Sequence, residues 1–255
     1  MESSRYLACL AADYELLRDA ASSVALDKPV PSCPEWTVAD LVAHTGEVYL
    51  HKATVMRDGK WPDPWPSDHQ PADPFALLDL GYREVTAEFA ARPAQESSLT
   101  WFPPEQTVGF WIRRMAQETV VHRMDAQLAA GEACTPAPDD LAVDGVDEVL
   151  KRFLAYGSVA WPDEYATVEG DHLAGDDGAD TIVVTAGEVS WTVRPTPRSV
   201  AVTDGRDDAA RARVFAAPDA VLSWLWGRAS DDVVTAAGDP EWIAYLRRLL
   251  AATTG

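Results

Sequence analysis

The hydrophobic period changes once along this chain of 255 residues, and that change limits the folds that the chain can adopt. Through about residue 160 the apolar side chains recur every three or four positions, as they do on one face of an α-helix. Beyond it, short β-rich pieces are separated by glycine, aspartate and proline, as in an antiparallel sheet. We therefore predict a helical domain at residues 1–160 and a smaller α+β domain at residues 161–255.

Four segments of the first domain have the period of a helix. They comprise residues 7–21, 37–56, 75–92 and 108–130. Thr37 is a predicted N-cap, with Asp40 three residues later in a variant of the capping box, and Gly131 ends the fourth helix. These four helices predict an antiparallel bundle whose long loops crowd one end. A fifth helix is predicted at residues 139–160.

The second domain combines short strands with two helices. Strands are predicted at residues 165–170, 181–187, 188–195, 199–204, 212–217 and 232–239, and helices at residues 218–228 and 240–253. The predicted fold class is thus α + (α+β), with an antiparallel sheet in the second domain.

Charge and composition argue against several classes of partner. The formal net charge is −20, whereas nucleic acids and anionic membranes bind basic surfaces. No run of about 18 apolar residues occurs, and the start MESSRYLACLAADYELL carries acids where a secretory leader is basic. We therefore expect a cytoplasmic protein.

Cys9, Cys33 and Cys134 lie far apart in the sequence, which indicates neither a disulfide framework nor a cysteine zinc site. The sequence does not predict an oligomeric state.

The fourth helix carries two ionisable groups on its apolar stripe. Glu118 and His122 are four residues apart, so they point to the same side of the helix as apolar neighbours such as Trp111 and Met115. A buried carboxylate without a partner costs several kcal/mol. Three arrangements would compensate it: an ion pair with Arg114, a metal ion held between Glu118 and His122, or a metal-free acid/base pair.

A histidine of the second helix favours the metal. His44 lies beside the predicted inward face of that helix, and a neighbouring helix would bring it to the same point as Glu118 and His122. Two histidines and one glutamate give zinc three ligands and leave its fourth position open, as in catalytic sites. His51 lies roughly 10 Å further along the helix. A di-metal bundle is disfavoured, because His44 and Glu47 stand in the reverse of the Glu-x-x-His order that it requires.

Three motifs give the chain a resemblance to a known family. CPEWTVADLVAHTGEV, QETVVHRMDAQLA and the later LSWLWGR with GD resemble the mycothiol-dependent maleylpyruvate isomerase family of actinobacteria. The resemblance implies a DinB-like four-helix bundle followed by a smaller sterol-carrier-like α+β domain. It also implies metal ligands at His44, Glu118 and His122. Glu35, between Pro34 and Trp36, departs from the usual glycine of the first motif and is expected to affect the turn more than the chemistry.

The same resemblance implies a function. In the family a divalent metal, usually zinc, takes the thiol of the cosubstrate mycothiol into its open position and stabilises the thiolate. The thiolate then isomerises maleylpyruvate from cis to trans, and a similar protein would use it for thiol S-transfer to another small electrophile. The competing hypothesis is a non-catalytic protein of the same fold that binds a metal or a small ligand.

Arginines are the predicted contacts for an anionic substrate. A dicarboxylate would bind a bidentate guanidinium, and the candidates for catalytic residues are Arg114, Arg123 and Arg228. Each has a structural alternative: Arg114 would pair with Glu118, Arg123 would face away from the site, and Arg228 would interact with the C-terminal end of a helix.

Overall fold

The computed structural model describes residues 1–66, 72–165, 168 and 180–254. It divides into two compact units, residues 1–135 and residues 136–255. This division lies 25 residues before the boundary predicted at residue 160, because the helix predicted at residues 139–160 packs within the second unit. Most of the strand predicted at residues 165–170 lies outside the described residues.

The first unit contains the four predicted helices. They are α1 (Ser3–Ser22), α2 (Val38–Asp58), α3 (Pro74–Ala91) and α4 (Val108–Ala130). Helix α2 packs against α3 and α4, and α1 packs against α4, which makes a four-helix bundle. Two short strands, β1 (Pro29–Val30) and β2 (Cys33–Thr37), pair antiparallel before α2. These two strands were not predicted.

Local capping sets where the two site-bearing helices begin and end. The Thr37 hydroxyl accepts a hydrogen bond from the Asp40 amide, and the Asp40 carboxylate accepts one from the Thr37 amide, so the predicted capping box is confirmed. Gly131 ends α4 with a φ of 77°, a left-handed conformation that glycine adopts without strain. The axial positions of the side chains on α2 and α4 therefore follow from local sequence.

Two glycines allow α2 and α3 to cross at close range. A Cβ atom on Gly81 would lie only 2.3 Å from the carbonyl oxygen of Gly46, and one on Gly46 would lie 2.7 Å from the amide nitrogen of Leu78. Any larger residue at Gly46 or Gly81 would push the helices apart. Because Gly46 lies two residues after His44, this contact fixes the position of α2 close to that histidine.

The second unit begins with a continuous helical stretch. It consists of α5 (Asp139–Glu148), a π-helical segment (Val149–Tyr156) and α6 (Gly157–Ala160), followed by the short α7 (Pro162–Tyr165). Helix α5 packs on α8 (Pro218–Leu225), and α9 (Pro240–Thr254) packs on strands of the sheet.

The sheet of the second unit has five strands among the described residues. They are β3 (Ile182–Ala186), β4 (Val189–Thr196), β5 (Ser199–Asp204), β6 (Ala212–Ala216) and β7 (Thr235–Gly238), in the order β5-β4-β3-β6-β7. Every neighbouring pair is antiparallel except β3 and β6, which run parallel with Ile182 opposite Ala212. The fold prediction, a helical bundle followed by an α+β unit, is confirmed. Within the described residues, no helix is both long and apolar enough to cross a bilayer.

Candidate metal centre

Helix α4 is buried along almost its whole length, and it carries many polar side chains into that environment. The buried polar residues of α4 are Arg114, Gln117, Thr119, His122, Arg123, Asp125 and Gln127. A buried polar group needs a hydrogen-bonding or charged partner to offset its lost hydration. The partners of these residues show which of them belong to the candidate site and which make structural contacts with the rest of the bundle.

Glu118 lies between two histidines from different helices. Its Oε1 atom is 3.2 Å from His122 Nε2, one turn along α4, and 3.5 Å from His44 Nε2 on α2. All three atoms lie within 4.8 Å of one another. The structure therefore brings together the three residues that the sequence predicted as ligands. His51 is not part of this cluster.

Two of the separations between the donor atoms match those around one small cation. Two ligands of tetrahedral zinc, each about 2.0–2.1 Å from the ion, are roughly 3.3 Å apart. The two glutamate–histidine separations, 3.2 and 3.5 Å, are close to this value. Two imidazole nitrogens and one carboxylate oxygen also form a donor set that zinc, nickel, cobalt and iron accept. The residues present thus fit a divalent metal with one coordination position left for a ligand.

Arg114 holds the second oxygen of the same carboxylate. Its Nη2 donates to Glu118 Oε2, and its side chain is only 5% exposed. Burial raises the pKa of Glu118, but Arg114 and His122 outweigh this effect and hold the pKa well below its ordinary value. The predicted Arg114–Glu118 ion pair and the predicted ligand cluster therefore coexist, with Oε2 facing the guanidinium and Oε1 facing the histidines.

Asp125 fixes the ring of His122 from the opposite side. Its Oδ2 atom lies 2.9 Å from His122 Nδ1, and its Oδ1 accepts a 2.5 Å hydrogen bond from the Ser32 hydroxyl. Burial lowers the pKa of His122, but Glu118 and Asp125 outweigh it and raise the pKa to about 9. A carboxylate on Nδ1 sets the tautomer that leaves Nε2 available to a metal. This contact was not predicted, although the spacing of three residues between His122 and Asp125 on one helix indicates it.

Trp36 covers part of the cluster. Its ring centroid is 4.7 Å from that of His44 and 6.0 Å from that of His122. The residue belongs to β2, within the CPEWT motif, so the short strand pair positions an aromatic wall beside the ligands. The His44 side chain is 36% exposed and that of His122 is 9% exposed. The cluster therefore opens to solvent on the side of His44.

The N-terminal unit is similar to a known protein domain. Residues 7–127 match the family model described as "Mycothiol maleylpyruvate isomerase N-terminal domain". This segment belongs to that domain family. The matched residues contain α2 and all but the last residues of α4. They therefore contain the whole candidate ligand cluster, His44, Glu118 and His122.

Solved structures extend the likeness beyond the mycothiol maleylpyruvate isomerase N-terminal domain. A crystal structure of "the mycothiol-dependent maleylpyruvate isomerase" aligns with 93% of this chain and 93% of its own, with a TM-score of 0.60 and 14% identity. A histidine-to-alanine mutant of it aligns over the same shares with a TM-score of 0.61 and 14% identity. At this identity the likeness shows the fold. Curated protein sequences give no match.

Two of the three predicted arginines have other partners. Arg123 is fully buried; its Nε is 3.0 Å from Asp13 on α1, and its Nη1 donates to Gln127 and to the Thr135 carbonyl. Its guanidinium therefore does not contact His44, Glu118 or His122. Arg228 belongs to the second unit, where its Nη1 donates to the Trp226 carbonyl at 2.6 Å. Arg114 contacts Glu118, a member of the cluster.

Proposed function

We propose that His44, Glu118 and His122 hold a divalent metal, zinc above all, and that the protein uses it to activate the thiol of mycothiol. The convergence of three donor atoms within 4.8 Å on a domain of this family carries the proposal. Such a metal would supply a positive charge that stabilises a thiolate at neutral pH. The crystal structures named above support a mycothiol-dependent reaction, because that dependence is stated of the protein that they contain.

The protein side chains have separate tasks in this proposal. Asp125 keeps His122 in the tautomer with Nε2 toward the centre, and Arg114 keeps Glu118 ionised and turned so that Oε1 faces the histidines. Trp36 packs on the ring of His44 and limits its rotation. The exposed side of His44 is the approach for the thiol and the electrophile.

The proposed reaction is the cis–trans isomerisation of maleylpyruvate. The thiolate sulfur adds to one carbon of the cis double bond, and the electron pair of that bond moves onto the adjacent carbonyl as an enolate. Rotation follows about the bond that is now single. The enolate then reforms the double bond in the trans geometry and expels the thiolate, so that no atom is gained or lost. With an epoxide or an alkyl halide the same nucleophile would complete an S-transfer.

Metal analysis is the first test. Protein from metal-replete expression is expected to contain about one equivalent of zinc or another divalent metal, and the His44→Ala, Glu118→Gln and His122→Ala variants are expected to lose it. Less than half an equivalent in the folded wild type would overturn the site. Replacing His51, the nearby histidine outside the cluster, by alanine is the matched control and should leave the metal content unchanged.

The reaction is tested separately with metal-loaded protein. Mixed with mycothiol and maleylpyruvate, the wild type is expected to form the trans isomer, and the three ligand variants are not. A parallel assay with a bromobimane measures S-transfer to an electrophile with a leaving group. A protein that holds metal stoichiometrically but accelerates neither reaction would refute the enzyme and support the non-catalytic binding protein.

A further inference from the structure

Lys52 is a cation of the bundle that, within the part of the chain that the structure describes, lacks an acidic partner. It lies on α2 and is partly buried, and among the described residues no carboxylate forms an ion pair with it. The chain has 41 acidic and 21 basic residues, so acidic partners are abundant. A partly buried ammonium without one loses hydration, and no contacting carboxylate replaces that hydration. This arrangement lowers the stability of the fold. Residues that lower stability are often retained because they serve function, so the arrangement indicates a ligand-binding role for Lys52.

Aromatic side chains lie beside the Lys52 ammonium. The Nζ atom lies 5.1 Å from the centroid of the Trp111 ring and 3.2 Å from His51 Nδ1. Burial and the charge of Lys52 lower the pKa of His51 to about 4, so the imidazole is neutral at pH 7 and accepts a hydrogen bond from the ammonium. The His51 ring is itself flanked by Trp61 and Trp65. Aromatic faces attract a cation, but they do not neutralise it.

The ammonium lies over Trp111, about two turns of α4 before Glu118. Trp111, beneath it, shares the stripe of Glu118 on α4 and lies seven residues away, roughly 10 Å along the helix. The charges of Glu118 and Arg114 both act on Lys52. Burial lowers the pKa of Lys52 to about 8, against the opposing attraction of Glu118, so most of the molecules still carry the charge at pH 7.

We propose that Lys52 binds a carboxylate group of the electrophilic substrate beside the metal centre, and so selects acids over neutral electrophiles. This inference rests on the proposed function for the position of the reacting carbon. An ammonium has three N–H donors; one is directed to His51, and the other two match a single carboxylate. Arg114, a cation whose charge acts on Lys52, is already bonded to Glu118. A short acid would therefore place its carboxylate on Lys52 and its reactive carbon nearer the ligands.

Binding of maleate to the zinc-loaded protein tests the proposal without any thiol or turnover. By calorimetry, the Lys52→Met variant is expected to bind maleate at least about tenfold more weakly than the wild type, since one charge-assisted contact is lost. Lys28→Met removes the same charge from an exposed position on the chain and should bind as the wild type does. Equal maleate affinity for Lys52→Met and the wild type would overturn the proposal.

Two further measurements distinguish a binding role from a structural one. Thermal unfolding of Lys52→Met should occur at the same or a higher temperature than in the wild type, because no acid is left without a partner. A lower unfolding temperature with unchanged maleate affinity would show a structural lysine and refute the inference. An inactive protein that still binds maleate through Lys52 would leave this inference standing and refute the proposed reaction. With dimethyl maleate, a neutral ester, the variant should lose no affinity.

Discussion

His122 and Asp125 form a hydrogen-bonded pair in which Nδ1 and Oδ2 are 2.9 Å apart, and Asp125 is completely buried. The pair turns the other ring nitrogen of His122 toward Glu118. Outer carboxylates of this kind fix the orientation and raise the basicity of a metal-binding histidine. Asp125 is therefore a positioning residue of the proposed centre, although it is not one of its ligands.

Replacing Asp125 by asparagine should weaken zinc binding by about tenfold or more, because the charge that supports the His122 imidazole is removed. Competition with a chromophoric chelator measures this affinity. Ser32→Ala, which removes only the second bond to Asp125, should have a smaller effect. If Asp125→Asn binds zinc within twofold of the wild type, the aspartate does not position the histidine.

Replacing Arg114 by methionine should destabilise the metal-free protein by about 3 kcal/mol, because the partly buried Glu118 would lose its guanidinium partner. A bound cation also neutralises Glu118, so the loss should be smaller in the zinc-loaded protein. Urea unfolding with and without zinc measures both values. The Arg114→Met/Glu118→Gln double variant is the control: it should recover part of the loss in the metal-free protein, since no charged group is left unpaired. An equal loss with and without zinc would contradict this coupling.

Replacing Arg123 by methionine should affect folding and not the site. The change leaves Asp13 buried without its partner and is expected to cost about 3–5 kcal/mol in free energy of unfolding. Zinc affinity, measured below the unfolding transition, should stay within about twofold. A variant of normal stability that had lost activity would restore the catalytic role that the sequence suggested.

The acid stability of the bundle should depend on Glu88. Burial raises the pKa of this residue, but its ion pairs with Arg57, at 2.8 Å, and Arg92, at 3.0 Å, outweigh burial and hold the pKa below its ordinary value. A lowered folded-state pKa contributes stability above the unfolded-state pKa, and that contribution is lost as the pH falls through the folded-state value. Glu88→Gln should therefore cost about 1–2 kcal/mol at pH 7 and progressively less below about pH 4.5.

Urea unfolding at pH 7 and at pH 3.5 measures the two limits for Glu88→Gln. Glu15→Gln is the matched control, because Glu15 is exposed on α1 and has no ion pair among the described residues. The same loss for Glu88→Gln at both pH values would contradict the role of these ion pairs.

Local sequence determined the elements that carry the site. The Thr37–Asp40 capping box and Gly131 set the start of α2 and the end of α4, and the helical period put Glu118 and His122 on one side of α4. These features depend only on residues within a few positions of one another. For the same reason the predicted helices and strands agree with the structure in most of the described residues.

The tertiary structure decided which polar groups meet. The approach of α2 to α4 brings His44 to Glu118, and the packing of α1 draws Arg123 to Asp13 and away from the site. The boundary after residue 135 and the parallel pairing of β3 with β6 likewise depend on contacts between distant segments of the chain. A local pattern states which side of a helix or strand a residue occupies. Which element packs against that side depends on how all the apolar faces of the chain are buried together in one core. A local sequence pattern does not contain these contacts between distant segments.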